Sequence, residues 1–472
     1  MITLSKYRNK NVAVFGLGKT GLSAIECLLN SEAKVYAWDD NDNQVTSTKK
    51  VFGECNFIPP KEYRWEEVSA IVLSPGVPLL YPEPHWIVKL ARRFKCPITS
   101  DIELFLETQG ADRKVIGVSG TNGKSTTTSI IGHILKSAGK KVEIGGNLGF
   151  PVLSLNPDAE IYVIELSSYQ LDLLDDKNLD IFISVLLNIT PDHLDRHGCM
   201  ESYIAAKMKL INMSKVAVIG CDNEITGQIF TDFTGNKIPI AGQKVSNPEI
   251  NSILLKEGVI LDGLDLLDFG EPLHLDKGKI NLISNAENIG AAYAACKILK
   301  IDKRVIFDGI KSFTGLKHRN EFLGQIKNVK FVNDSKATNA ASSEKAILSY
   351  LNFYWIVGGI SKEGGIEPLR NHFPRIAKAF LIGESSEAFS NTLRNEVEIT
   401  MCGNLENAFQ LAYREALSEE SEIVILLSPA CASFDQWKNF EDRGEAFCKM
   451  YEKAANDSLP VSQQCCQVLI DS

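Results

Sequence analysis

The sequence has no CxxC pair, no HExxH, no excess of basic charge and no long apolar run, and each absence removes a class of function. Its eleven cysteines are scattered, with Cys465 and Cys466 in a polar tail, so neither a disulfide framework nor a structural zinc site is expected. A formal net charge of −9 argues against a general nucleic-acid or membrane-surface binder. No window approaches about 18 uninterrupted apolar residues, and no short apolar core follows a basic start. These absences predict a reduced, cytoplasmic chain with small-molecule partners, no nucleic acid and no membrane. What is present is length: 472 residues, 44% of them hydrophobic, exceed one ordinary core and predict about three domains.

The strongest local signal is VIGVSGTNGKSTTTSIIGHIL, from Val115 to Leu135. A β-branched run leads into Gly120, Thr121, Asn122, Gly123, Lys124, Ser125 and Thr126, and then into an amphipathic helical pattern. Glycines let backbone N–H groups curl toward phosphate oxygens, and the helix N-terminus adds partial positive charge. The lysine reaches the outer phosphates and the serine hydroxyl can ligate Mg²⁺, so the loop suits a nucleoside triphosphate. Val118 stands where the strict GxxxxGKS pattern has its first glycine.

The opening hundred residues repeat the strand, glycine loop and helix order. NVAVF (Asn11–Phe15) precedes GLGKTG, in which Lys19 and Thr20 follow two glycines, and Lys34–Trp38 reads as a second strand. Asp39 and Asp40 fall about 20 residues after the glycines, where an acid can meet a ribose hydroxyl; the plainer reading is a turn that packs helix on strand. A strand at Ala70–Leu73 runs into Ser74, Pro75 and Gly76, at what would be the carboxyl edge of the sheet. The segment suits a nucleoside diphosphate.

Further on, a glycine-dense loop carries Asn147, read alone as a turn. IYVIEL delivers Glu165 to a strand end downstream of the phosphate loop, where an Mg²⁺ ligand is needed; a solvent-facing acid is the alternative. Phe182–Leu187 leads into NITPDHLDRH, whose His193 and His197, set among aspartates, favour Mg²⁺ over zinc. Lys207, on a helix over Ser202–Ile211, reads alone as a surface lysine. Asn285 and Asn288, in the first turn of a small-residue helix over Ser284–Leu299, could touch a purine or cap the helix.

In the last third, KSFTGLKHR has a linker's composition but ends in His318 and Arg319, and an arginine entering there can stabilise phosphoryl charge. Strands at Val329–Val332, Phe353–Val357 and Ile423–Leu427 each open into an anion-friendly loop. The first of these loops also carries Asp334; together they bring Lys336, Thr338, Lys362 and Ser433 to one sheet edge, as a small dicarboxylate would require. Cys431 is read as a buried structural thiol, not a nucleophile.

Taken in order, GLGKTG, SPG, GTNGKST, GGNLG, IELSSYQL, LNITPDHLDRH, YIAAK, SNAENIGAA, FTGLKHRNE, VNDSKATN, VGGISK and LSPACASFDQWKNFEDRG resemble the Mur ligase family across nearly the whole chain. NDSKATN and the final segment resemble its D-glutamate-adding branch, and the DNPR stretch of the diaminopimelate- or lysine-adding branch is absent. The resemblance implies an α/β chain of three domains: a Rossmann-like N-terminal domain (1–100), a central P-loop ATPase-like domain (101–315) and a Rossmann-like C-terminal domain (316–458). A tail over 459–472 is expected to be disordered.

The implied reaction activates a UDP-N-acetylmuramoyl-L-alanine carboxylate with ATP to an acyl phosphate, which the D-glutamate amine attacks. Lys124 would hold the outer phosphates; Ser125 and Glu165 would hold one Mg²⁺; His193 and Lys207, as a CO2-derived carbamate, would hold a second. Gly120 to Thr126, Asn285, Asn288, Arg319 and Asp334 would bind ATP. Lys19, Thr20, Asp39, Gly76 and Asn147 would line the UDP-substrate site, and Lys336, Thr338, Lys362, Ser433 and Phe440 would receive D-glutamate. A monomer is expected. Asp40, Asn41 and Asp42 depart from the family, where a hydroxyl and a cation are expected after Asp39. A nicotinamide-dependent dehydrogenase, a nucleotide-regulated binding protein and a folylpolyglutamate synthetase-like enzyme are the alternatives. The first leaves GKST and Glu165 unexplained, the second leaves two metal-ligand clusters idle, and the third has no need of the GLGKTG domain.

Overall fold

The computed structural model describes residues 2–110, 113–175, 179–242, 253–256, 259–262, 265–268, 282 and 285–458. The tail expected from 459, with Cys465 and Cys466, lies outside them. Three sheets organise the chain, and in each the β-branched runs form parallel strands whose carboxyl ends open into loops.

The first sheet has four parallel strands in the order Lys34–Trp38, Asn11–Phe15, Val68–Leu73, Ile98–Thr99. Gly16 turns the chain at φ +93, and an added Cβ there would lie 2.6 Å from the Ser74 Cβ, so only glycine fits. Ser74 Oγ donates to Gly16 O at 2.7 Å, joining the glycine loop to the SPG turn.

The second sheet has nine strands, with Lys114–Ser119 paired to Ile161–Glu165 on one side and Ile181–Leu186 on the other. Val118 pairs with Glu165 and with Val185 and is fully buried. The residue that breaks the strict phosphate-loop pattern is thus a core strand position, and the loop begins after it. Helix Lys124–Ser137 follows, and helix Ala286–Ile298 packs beside it, buried along most of its length because alanine and glycine let it approach closely. Apolar residues of the first two sheets and of the helices beside them, among them Val12, Leu28, Phe105, Val152 and Ile164, share one core. Both sheets fall in one compact unit that also takes in Asn285–Ile310.

The third sheet lies in a second unit that contains the described residues from Lys311 onward. Its order is Glu321–Ile326, Val329–Asn333, Ile423–Leu427, Phe353–Gly358, Ile376–Ile382, Glu398–Gly403, with only the first pair antiparallel. The three strands expected to share an edge are consecutive neighbours. Lys311 and Ser312, read as linker, instead finish a helix over Lys303–Ser312. No disulfide joins the described cysteines, and none of the described helices is long and apolar enough to cross a membrane.

Candidate active site

The phosphate loop lies between two strand ends. Gly120 and Gly123 sit at φ +154 and +87, conformations that side chains resist, and Gly123 caps the helix begun by Lys124. From one side the Asn188 side chain accepts the Asn122 N–H at 2.9 Å and donates to Glu287 Oε2 at 2.7 Å. Thr121 Oγ1 lies 3.0 Å from the Tyr203 hydroxyl and donates to Thr190 O at 3.1 Å. Asn188 and Tyr203 were not singled out in the sequence; a polar residue directly after the apolar VLL run was the one signal for Asn188.

Lys124 Nζ folds back to donate to Gly120 O at 2.9 Å and Thr121 O at 2.7 Å. Lys207, far from a surface residue, is 1% exposed, and its Nζ donates to Gly120 O at 2.9 Å and lies 4.7 Å from the Tyr203 ring centroid. The surface reading of Lys207 alone is therefore corrected: helix Met200–Asn212 turns this position inward. Burial first, and the Lys124 charge second, hold its ammonium well below the usual lysine range.

Glu165 is buried, and its Oε1 accepts from Asn147 Nδ2 at 2.7 Å. Its Oε2 has no hydrogen-bond partner among the described residues. An unsatisfied carboxylate oxygen at a strand end is costly unless something cationic meets it. Such a hard-oxygen donor, with the Ser125 hydroxyl on the first turn of the helix that the loop opens, fits Mg²⁺. His193 adopts a left-handed backbone (φ 54) that only surrounding structure can impose on a non-glycine residue, and its Nδ1 lies 3.1 Å from the Tyr169 hydroxyl.

Asn285 stands at the N-cap of its helix but makes no side-chain capping bond, which removes the capping reading. Its Oδ1 instead accepts from Asn288 Nδ2 at 2.9 Å, and the Asn288 Oδ1 accepts from Thr127 Oγ1 at 3.3 Å. An added Cβ on Gly123 would lie 2.1 Å from that same oxygen, so Asn288 packs against the phosphate loop.

In the first sheet, Lys19 and Thr20 open helix Lys19–Asn30, and open space surrounds Gly76. The Asp39 carboxylate accepts the Leu17 N–H at 2.6 Å and the Asn41 N–H at 2.8 Å, so it braces the glycine loop itself. Asp40 pairs with His85 Nε2 at 2.9 Å and accepts from Trp86 Nε1 at 3.1 Å. The acid that departs from the family pattern thus has a structural use.

The second unit is described by itself. Arg443 is 1% exposed and donates to Ser335 Oγ, Ser335 O and Cys431 O at 2.9–3.0 Å, tying two of the three sheet-edge loops together. Lys336 Nζ lies 4.0 Å from the Phe440 ring centroid, a cation–π contact. Ser433 is buried in the adjacent loop, while Lys362 is exposed and Thr338 half-buried. Asp334 accepts from Ser428 Oγ at 2.7 Å and the Asn320 N–H at 3.0 Å, and burial pushes its carboxyl up to about 7. Arg319, one residue before Asn320, adds positive charge beside it. Cys431 is a buried thiol raised by burial to about 12, which agrees with its reading as structural.

Two family models match the sequence: a Mur ligase middle domain over residues 118–255 and a Mur ligase MurD-like N-terminal domain over residues 10–90. A UDP-N-acetylmuramoylalanine–D-glutamate ligase from Wolbachia pipientis wMel is 58% identical, with 98% of this chain and 100% of the relative covered. A protein of the same name from Rickettsia prowazekii is 42% identical over 95% of this chain and 99% of the relative. Among solved structures, the Thermotoga maritima MurF ligase in complex with ADP matches with TM-score 0.57 at 19% identity, covering 97% of this chain and 98% of that one. The MurC ligase of the same organism matches with TM-score 0.56 at 16% identity, covering 94% and 99%. At such identities the structural likeness speaks for the fold.

Proposed function

The chain belongs to the Mur ligase family, and from that premise we propose that it joins D-glutamate to UDP-N-acetylmuramoyl-L-alanine with cleavage of ATP, a step of peptidoglycan precursor synthesis. The observation that carries the reading is the convergence of Lys124 and Lys207 on the Gly120 carbonyl, together with a buried Glu165 oxygen, on the strand paired to the one that leads into the loop, that has no partner among the described residues.

Lys124 releases its loop carbonyls to reach the β- and γ-phosphates when nucleotide enters, and backbone N–H groups of Gly120 to Thr126 cradle them. Ser125 and Glu165 would hold one Mg²⁺, and His193 with a carbamylated Lys207 would hold the second. When bound, the ions neutralise charge where the acceptor carboxylate approaches the γ-phosphate. The depressed basicity of Lys207 leaves a neutral amine, which adds to CO2 with loss of one proton to give the carbamate.

Attack of the lactoyl-alanine carboxylate on the γ-phosphorus of ATP breaks its bond to the bridging oxygen, giving an acyl phosphate and ADP. The D-glutamate amine then adds to its carbonyl carbon, and the tetrahedral intermediate expels phosphate. No protein nucleophile is needed; the side chains position the reactants and offset their charge. Asn285, Asn288, Arg319 and Asp334 are assigned to ATP, with Asp334 on the ribose. Lys336, Thr338, Lys362, Ser433 and Phe440 are assigned to D-glutamate, whose two carboxylates need cations and hydroxyl donors. Lys19, Thr20, Asp39, Gly76 and Asn147 are assigned to the UDP substrate. The domain limits given above, a monomeric state and a cytoplasmic location belong to the same reading.

Phosphate release measured with D-glutamate, L-glutamate, L-alanine, diaminopimelate and lysine in parallel tests it. The proposal expects release only with D-glutamate and only when the UDP-muramoyl acceptor is present; preference for any other amino acid overturns it.

A further inference from the structure

Arg196 is buried at 7% exposure, yet its main partners are carbonyl oxygens from another sheet's loop. Its Nη2 donates to Val77 O at 3.1 Å, and its Nη1 lies 3.4 Å from Tyr81 O and 3.5 Å from Asp172 Oδ2. The guanidinium lies over the Tyr169 ring, 5.3 Å from its centroid. The Tyr169 hydroxyl in turn lies 3.1 Å from His193 Nδ1, and those two rings meet edge to face at 5.0 Å. On the loop side, the Val77 N–H donates to Ser74 O at 3.0 Å, closing the turn that exposes Gly76. The Tyr81 ring also rests on Gly198, where an added Cβ would come within 3.0 Å of it.

Burying a guanidinium costs free energy, and for stability alone an apolar side chain of similar volume does about as well. Neither Arg196 nor Tyr169 has a part in the chemistry proposed above. We infer that Arg196 is a positioning residue: it links the SPG turn, where the sugar nucleotide is assigned, to the ring orientation of His193 through the face of Tyr169. The inference rests on the ligase reading for the roles of the two ends. Its physical content is that the loop carbonyls set the guanidinium plane, the guanidinium sets the tyrosine ring, and the tyrosine hydroxyl fixes which way His193 presents Nε2.

The test uses the full chain with Arg196→Lys, Tyr169→Phe and the double variant. It measures kcat and KM for each substrate, melting temperature, and Mn²⁺ binding by electron paramagnetic resonance with and without the UDP-muramoyl acceptor. Each single variant is expected to lower kcat about tenfold with KM for ATP and D-glutamate little changed, as a displaced group does. Each should abolish the tightening of Mn²⁺ by the acceptor, and the double variant should be no worse than the poorer single one. Multiplying effects, or a loss confined to melting temperature or to KM for the acceptor, overturn the inference. If Arg196→Lys does not fold, Tyr169→Phe, which loses one hydroxyl, decides alone: unchanged kcat and unchanged Mn²⁺ coupling overturn it. Failure of the ligase reading is distinct, appearing as absence of D-glutamate-dependent phosphate release in the unaltered chain.

Discussion

Lys124 Nζ and Lys207 Nζ each donate to the Gly120 carbonyl oxygen at 2.9 Å. Two ammonium groups on one oxygen repel, and the buried one gives up its proton more easily because water cannot solvate its charge. A neutral Lys207 is the form that would take up CO2, and the proposed carbamate would place an anion where Lys124 otherwise meets a like charge.

Lys207→Ala is therefore expected to lower the rate of phosphate release by about a hundredfold or more, since it removes a group acting on the developing charge. Short carboxylates such as acetate or propionate should restore part of the rate by standing in for the carbamate. Assays across a carboxylate concentration series check this; a fully active variant shows that the carbamate is not needed.

Asp101 gives a pH prediction. It opens helix Asp101–Glu107, its carboxyl is fully buried, and burial pushes it up to about 7 against the smaller pull of the backbone N–H groups of Asp101 and Ile102. The folded chain binds this proton more tightly than the unfolded chain does. Its contribution to stability is thus present at pH 4 and is lost as pH rises through about 7. Asp101→Asn should stabilise the protein by about 2–4 kcal/mol more at pH 8 than at pH 4, with an intermediate gain at pH 5.5, as read from denaturant unfolding at the three values. Glu103, two residues on and also raised to about 7, adds a slope of the same sign that the variant retains.

Arg443 makes a prediction for the second unit. Its three bonds to the Ser335 and Cys431 loops hold the edge on which Lys336 and Ser433 stand. Arg443→Met keeps most of the volume and removes every one of these donors. It should cost about 1–3 kcal/mol of stability, because buried acceptors of the Ser335 and Cys431 loops are left unsatisfied, and raise KM for D-glutamate. Steady-state kinetics on the folded fraction check it, and an unchanged KM counts against the assigned amino-acid site.

The sequence made the strands legible through short apolar runs, continuous where both faces are buried and alternating at the edge strand Lys34–Trp38. Asn11–Phe15, Lys34–Trp38 and Ile423–Leu427 match to the residue. Glycines at Gly120 and Gly123 were legible for the same kind of local reason: the turn needs backbone angles that other residues resist. What could not be read locally was the direction in which long polar side chains point. Lys207 alone looks like any helical lysine, and only the packing of its helix beside the phosphate loop makes it buried. Arg196 and Arg443 lie in polar segments that give no hint of burial, because their partners are carbonyls of loops far away in the chain. Asp39 reads as an acid for a ribose hydroxyl, and its service to the Leu17 and Asn41 N–H groups depends on a turn that sequence spacing does not specify.

The most direct test of the central claim is anomalous scattering from Mn²⁺ in crystals grown with an ATP analogue and the UDP-muramoyl acceptor. The account predicts two peaks, one on Glu165 Oε2 with the Ser125 hydroxyl, the other between His193 and a carbamylated Lys207. Crystals of the loaded enzyme with no peak there, or with Glu165 and His193 turned away from the bound nucleotide, would contradict it.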